Sequence, residues 1–240
     1  MTMHTTRLLA RELVAEGTMA FHFERPPGFE FKPGQAMDVV LGADTASTQQ
    51  DVRHAFSIVS APFQQELLIT TRMRGSAFKN ALGTLPIGTQ LTLDGPFGSL
   101  GLHKNPDRAG IFIAGGIGIT PFMSILRQAV HHPVPQELLL LYSNHRPEDA
   151  AYLTELQQLE ATNPRFHMTA TMTQMGRSTQ PWAGHRGPID SAFVRSAAGD
   201  LPAPIFYIAG PPAMVEAMRQ VLVVTGIDED DVRSEEFHGY

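Results

Sequence analysis

The rhythm of apolar and polar positions changes once along the chain, near residue 105. Before that point, short mixed runs recur at near-regular spacing. Residues 7–15, 18–25, 37–41, 54–60, 66–73 and 90–94 read as strands. The turn formers Arg25-Pro26-Pro27-Gly28 and Pro33-Gly34-Gln35 separate them, and 42–51 is small and polar, as a surface loop would be. Residues 77–82 read as one short helix. This series predicts an antiparallel barrel or sandwich. After it, compact apolar runs at 110–114, 137–142, 166–173, 205–209 and 231–237 read as strands. They alternate with helical spacing at 121–129, 148–159, 189–197 and 212–225. Apolar strands alternating with helices predict a parallel sheet covered on both faces. The polar, proline-containing stretch 102–108 reads as a linker. The expected fold class is therefore an N-terminal antiparallel β-barrel, 1–104, followed by an α/β parallel-sheet domain, 105–240.

Composition narrows the function classes. The 240 residues are 42% hydrophobic and 18% charged, enough to bury a core. Eighteen Lys and Arg against 24 Asp and Glu give a net charge of −6 with no basic block, which argues against a nucleic-acid partner. There is no cysteine, so this chain holds no disulfide, thiolate-ligated iron–sulfur cluster or catalytic thiol. No apolar run approaches the roughly 20 residues of a membrane span, and the first residues lack a signal-peptide core. The expected location is the cytoplasm. The ten histidines show no metal-binding spacing, and no metal site is expected.

Two segments carry candidate chemistry. Strand 110–114 runs into Gly115-Gly116-Ile117-Gly118-Ile119-Thr120-Pro121 and then a helix. Glycines let a backbone approach a pyrophosphate, and the helix N-terminus favours an anion. Thr120 suits an N-cap and Pro121 the first helical position. The same pattern also makes an ordinary tight β–α turn. A second junction, Gly210-Pro211-Pro212, follows strand 205–209 and places another helix N-terminus on the same sheet edge. In the first half, His54-Ala55-Phe56-Ser57 puts His54 and Phe56 on one strand face and Ala55 and Ser57 on the other. It reads either as a half-buried strand or as a seat for a planar ring and an anion. Ser143 and Arg146, after strand 137–142, stand where nucleotide domains read the adenosine ribose, although Glu148 and Asp149 follow at once. Trp182 reads as a loop anchor. Lys32, Arg72, Arg74 and Lys79 form either a basic rim or scattered surface cations.

Taken in order, these motifs resemble the ferredoxin–NADP reductase superfamily. His54-Ala55-Phe56-Ser57 is similar to its Arg-x-Tyr-Ser flavin motif, and Arg74-Gly75-Ser76-Ala77-Phe78-Lys79 falls at its second flavin-phosphate loop. Gly95-Pro96-Phe97-Gly98 resembles the end of its barrel domain. Gly115–Pro121 resembles its nicotinamide-nucleotide loop, Gly210-Pro211-Pro212-Ala213-Met214 its Cys-Gly-Pro-Pro-x-Met turn, and Glu236–Tyr240 its aromatic C-terminus. The resemblance implies FAD, less often FMN, with NAD(P)H as substrate. It implies that Phe56 stacks on the flavin and Ser57 bonds near its N5. His54, Ala55, Arg74, Gly75 and Ser76 would hold the flavin and its phosphate, with Thr70 and Thr71 along the ribityl chain. Gly116, Gly118 and Thr120 would meet nucleotide phosphate, Gly210 and Pro211 the nicotinamide, and Phe237 or Tyr240 the other flavin face.

The implied activity is a flavoprotein reductase that accepts hydride from NAD(P)H. Electrons would pass to a separate acceptor such as a ferredoxin, a flavodoxin or another electron-transfer partner. The alternatives are a reductase of free flavin or another small acceptor, and a non-enzymatic flavin- or nucleotide-binding subunit of a redox complex. Three departures stand out: His54 replaces arginine, Phe56 replaces tyrosine, and Ala209 replaces cysteine. Imidazole offers fewer donors than guanidinium, so either flavin affinity is lower or Arg74 supplies the missing charge.

Overall fold

The computed structural model describes residues 2–42 and 53–237. The loop expected at 42–51 lies outside them from residue 43 on, as does Tyr240. Strands β1 (Thr2–Ala15), β2 (Thr18–Glu24), β3 (Ala36–Val40), β4 (Arg53–Ser57), β5 (Glu66–Arg72) and β6 (Gln90–Phe97) form one sheet in the order β4-β3-β6-β1-β2-β5. Every pairing within it is antiparallel. Strand β1 starts at Thr2, five residues before the expected start. Its first half pairs with β6 and its second half with β2, with an irregularity between Leu8 and Ala10. One long bent strand thereby curls the sheet into a barrel, a geometry that bulges favour. Phe21, Phe23, Phe29, Met37, Val39, Ile69 and Leu93 fill its interior.

The two edges of this sheet, β4 and β5, come together without forming a ladder. Beyond β4 the chain does meet β5, where Val59 N–H donates to Leu68 C=O at 2.7 Å and Leu68 N–H to Ser60 Oγ at 3.1 Å. Between residues 54–57 and 70–72 the seam stays open, and helix α1 (Ala77–Thr84) follows directly after it.

The second half is a parallel sheet of β7 (Gly110–Gly115), β8 (Leu138–Asn144), β9 (Phe166–Met172), β10 (His185–Arg186), β11 (Ile205–Gly210) and β12 (Val232–Glu236), in the order β10-β9-β8-β7-β11-β12. Every residue of β7 and β11 is buried, which explains their continuous apolar sequence. The chain steps outward from β7 to β10 and returns beside β7, so the order reverses between β7 and β11. Open α/β sheets bind ligands at the carboxyl ends of such strands. Helices α2 (Ile119–His131) and α5 (Pro212–Val224) start there, while α3 (Leu153–Thr162) and α4 (Ser191–Ala198) come between them in the chain.

Two local expectations need correction. Gly118, not Thr120, caps α2, because Gly116–Gly118 forms a 3-10 turn that runs straight into the helix. The Thr120 hydroxyl instead donates to Ile117 C=O at 3.0 Å. Helix α3 begins at Leu153 rather than at 148. Tyr152 is left-handed (φ 62°), and Glu148 and Asp149 belong to a separate turn. The stretch expected to be a linker is tied down. His103 is buried, with Tyr207 Oη 2.9 Å from its Nδ1 and its Nε2 3.0 Å from Arg108 C=O.

The two sheets share a packed boundary. Ala20, Val59 and Leu68 of the barrel join Phe122, Met123 and Leu126 of α2 in one core. Ser124 Oγ donates to Ser60 C=O at 2.7 Å, and Arg127 donates to Val59 C=O at 3.0 Å while gripping Glu155 with two further bonds of 2.6 and 2.8 Å. Among the described residues, no helix is long and apolar enough to cross a membrane.

Candidate functional site

The open seam forms one cleft. It is lined by His54, Ala55, Phe56 and Ser57 of β4, Thr70, Thr71 and Arg72 of β5, and Lys79 of α1. Ile117, Thr120 and Phe237 close it from the parallel-sheet side. Both strands present edges without a ladder partner, so their backbone polar groups are free to meet a ligand. Alternation along β4 puts His54 and Phe56 side by side, 5.4 Å between ring centroids, with Phe78 5.3 Å from His54 and 6.0 Å from Phe56. Arg53 points away and binds Asp38 and Asp94 at 3.1 and 2.9 Å. Ser57 Oγ is buried without a hydrogen-bond partner. A buried hydroxyl in that state is costly unless something else meets it. Thr70 Oγ1 lies 2.5 Å from Tyr152 Oη, so one of the two threonines also bridges the halves.

Charge in this cleft is one-sided. Burial pulls the His54 pKa below the ordinary histidine value, and the Lys79 ammonium adds to the effect. Burial likewise lowers Lys79. With Arg72, three basic side chains thus share a half-enclosed space. Asp38, on the neighbouring strand, is itself pushed up, chiefly by burial and against the pull of Arg53.

A second cleft lies at the carboxyl ends of β7, β8, β9 and β11. Gly115, Gly116, Ser143, Asn144, His145, Thr173, Pro211 and Met214 line it, and Arg72 and Arg74 reach it from the barrel. Arg72 borders both clefts. It is buried, with a single long bond of 3.4 Å to Asp149 C=O. Gly116 has φ +53°, and a Cβ there would sit 3.4 Å from the Arg72 guanidinium. The positive φ calls for glycine here, while the guanidinium stands only at ordinary contact distance.

The expected site residues divide accordingly. His54, Ala55, Phe56, Ser57, Thr70, Thr71, Thr120 and Phe237 converge on the first cleft. Gly116, Ser143, Arg74 and Pro211 converge on the second. Arg74 is therefore not beside His54; Lys79 is. Gly75 and Ser76 form the start of α1, where Ser76 Oγ accepts from Lys79 N–H at 3.4 Å. Gly118 and Gly210 border neither cleft. A Cβ on Gly118 would lie 2.1 Å from Ala209 C=O, and one on Gly210 2.8 Å from Met214 Sδ. Arg146 is committed elsewhere, to Asp149 through two bonds of 2.9 Å and to Glu16 at 3.2 Å. Glu148 is likewise held, by Ser178, Thr179 and Gln180. Trp182 does anchor its loop, donating to His185 C=O at 2.8 Å. Of the four candidate rim cations, Arg72 and Lys79 are buried and border the first cleft, rather than forming a surface rim. For Lys79 the available signal is its place between Phe78 and Leu82, the other buried residues of a short helix.

Residues 112–220 match the family model of the oxidoreductase NAD-binding domain. The ferredoxin–NADP reductase B of Sorangium cellulosum is 30% identical over 225 residues, covering 90% of this chain and 89% of that one. The chain belongs to the ferredoxin–NADP reductase family. Within it, the glycine betaine monooxygenase reductase subunit of Chromohalobacter salexigens is 26% identical over 92% of this chain. The chain spans only 60% of that relative's length. A ferredoxin–NADP reductase of Neisseria gonorrhoeae, solved with bound FAD and NADP, shares the fold with a TM-score of 0.80, 21% identity and 98% coverage of both chains. The family relation accounts for a barrel and a nucleotide sheet meeting at two adjoining clefts.

Proposed function

We propose that this reductase holds FAD, less often FMN, in the barrel seam and NAD(P)H in the cleft at the β7–β11 switch point. On this reading residues 1–104 are the flavin domain and 105–240 the nucleotide domain. The observation that carries it is the adjacency of the two clefts, which share Arg72. The residues present fit a flavin nucleotide. A ring edge needs hydrogen-bond partners, and the seam offers two unpaired strand edges and the orphaned Ser57 hydroxyl. An anionic tail needs cations and donors, and the seam holds Arg72 and Lys79 with the imidazole of His54 beside them.

Bound there, a flavin would supply the redox chemistry, hydride transfer from nicotinamide and electron release to an acceptor. The chain's own part is positioning and exclusion of water. Phe56 gives an apolar surface beside Ser57, and Phe237 covers the seam from the opposite side. Arg72 offers a fixed positive charge between the two ligands. The packed boundary through Arg127 and Ser124 holds the clefts in register, so that two bound ligands meet at a defined distance. These residues hold no cysteine to ligate an iron–sulfur cluster, and the reductase subunits among the relatives support a separate acceptor, a protein or a small molecule. The test is anaerobic titration of the FAD-reconstituted chain with NADH and NADPH. Bleaching of the flavin spectrum is the expected result. A chain that binds FAD but is bleached by neither nucleotide contradicts the reading.

A further inference from the structure

Lys79 is the least explained charge in the molecule. It lies in the third position of α1 and is only 8% exposed. Among the described residues its ammonium has neither an ion-pair nor a hydrogen-bond partner. Its stem is buried while its ammonium opens onto the seam, where a ligand anion would complete it. Its surroundings are those of an anion seat. It borders the seam together with His54, whose ring packs against the neighbouring Phe78. It belongs to the first turn of an eight-residue helix, whose leading amides have no partner within the helix. No acidic residue of the described chain lines the seam.

We propose that Lys79 is the principal phosphate anchor of the flavin site, carrying from α1 the charge that the barrel strand lacks at His54. This assignment rests on the flavin reading above and deepens it. It selects for phosphorylated flavins over the bare ring system. It also predicts that the position of His54 matters less to phosphate binding than its replacement of arginine implies. A guanidinium at 54 is then redundant while Lys79 is present and useful once Lys79 is gone.

The experiment is fluorescence titration of the flavin-free chain with FAD, FMN and riboflavin. Charge-assisted hydrogen bonds support an effect of about ten- to a hundredfold in affinity. Lys79→Met is expected to weaken FAD and FMN by that factor and to leave riboflavin within about twofold. Adding His54→Arg to Lys79→Met is expected to recover most of the loss, whereas His54→Arg alone changes little. Thermal unfolding run alongside checks folding, and Lys79→Gln replaces Lys79→Met if the apolar variant does not fold. Equal FAD affinity in wild type and variant overturns the assignment. So does an equal loss of riboflavin, which marks a structural role. Failure of the wild-type chain to bind any of the three flavins overturns the flavin reading itself, and Lys79 with it.

Discussion

Ser57 shows how a single atom can betray a ligand. Its hydroxyl is buried, lines the seam and bonds to nothing. A group of that kind contributes little to stability, and deleting it relieves an unmet polar atom. Ser57→Ala is therefore expected to leave the unfolding free energy within about 0.5 kcal/mol of wild type. If the hydroxyl meets the reacting edge of the flavin, the same change slows flavin reduction by NAD(P)H about three- to tenfold, the worth of one neutral hydrogen bond. Stopped-flow reduction and chemical denaturation on the same preparation separate the two effects. Unchanged reduction would mean that Ser57 does not touch the reacting ring. The residue was legible in the sequence because strand alternation and a motif both marked it. Lys79 and Arg72 were legible only as charges. Whether a cation is buried depends on what folds over it, and no local pattern records that.

Elements were read with uneven success, for physical reasons. The buried strands β7, β8 and β11 announced themselves as continuous apolar runs, as parallel-sheet strands do. The leading third of β1 did not, because Thr2-Met3-His4-Thr5-Thr6 is mostly polar and becomes a strand through its pairing with β6. Helix α3 was placed too early because Glu148 and Asp149 look like a first-turn pair, whereas their carboxylates serve neighbouring loops and Arg146. The glycine turn before α2 was legible, yet its three glycines do different work. Gly116 needs positive φ, while Gly118 needs room, because α2 starts against the end of β11. At Gly118 the backbone is ordinary, φ −59°, so the cost of a side chain there is purely steric. Gly118→Ala is expected to destabilise by about 1–3 kcal/mol, the usual penalty for overpacking. A fall in Tm would show it, and an unchanged Tm would mean that α2 can shift away from Ala209 at no cost.

For the whole molecule, the tied-down linker sets a pH dependence. Burial holds His103 below the ordinary histidine value of 6.5, against the opposing hydrogen bond to Arg108 C=O. The folded state therefore resists the proton that the unfolded chain accepts. Above pH 6.5 neither state is charged at this site and stability is full; as pH falls below it, the unfolded state gains. His54 acts in the same direction in the flavin-free chain. The depressed carboxylates Asp149 and Asp231 lose their contribution only at lower pH, below their ordinary 3.8. Denaturation between about pH 5 and 7 thus reads the histidines against the raised carboxyls Asp38 and Glu235, which act in the opposite direction. His103→Asn is expected to flatten that slope, and an unaltered slope would assign it to other groups. The two-domain plan was readable from the change of rhythm alone. The packed boundary was not, since Arg127 and Ser124 lie on one helix and find their partners 68 and 64 residues away.

The open seam also bears on how the chain survives before it is loaded. Two strand edges side by side, with free N–H and C=O groups, form a template for pairing with another chain. A flavin lodged between β4 and β5 would act as a plug that removes this stickiness. Supply of the vitamin would then govern the yield of soluble protein as well as its activity. Warming flavin-free and flavin-loaded samples at equal concentration should produce light scattering first in the empty one. Cells starved of riboflavin should lose this reductase to aggregates before they lose it to inactivity.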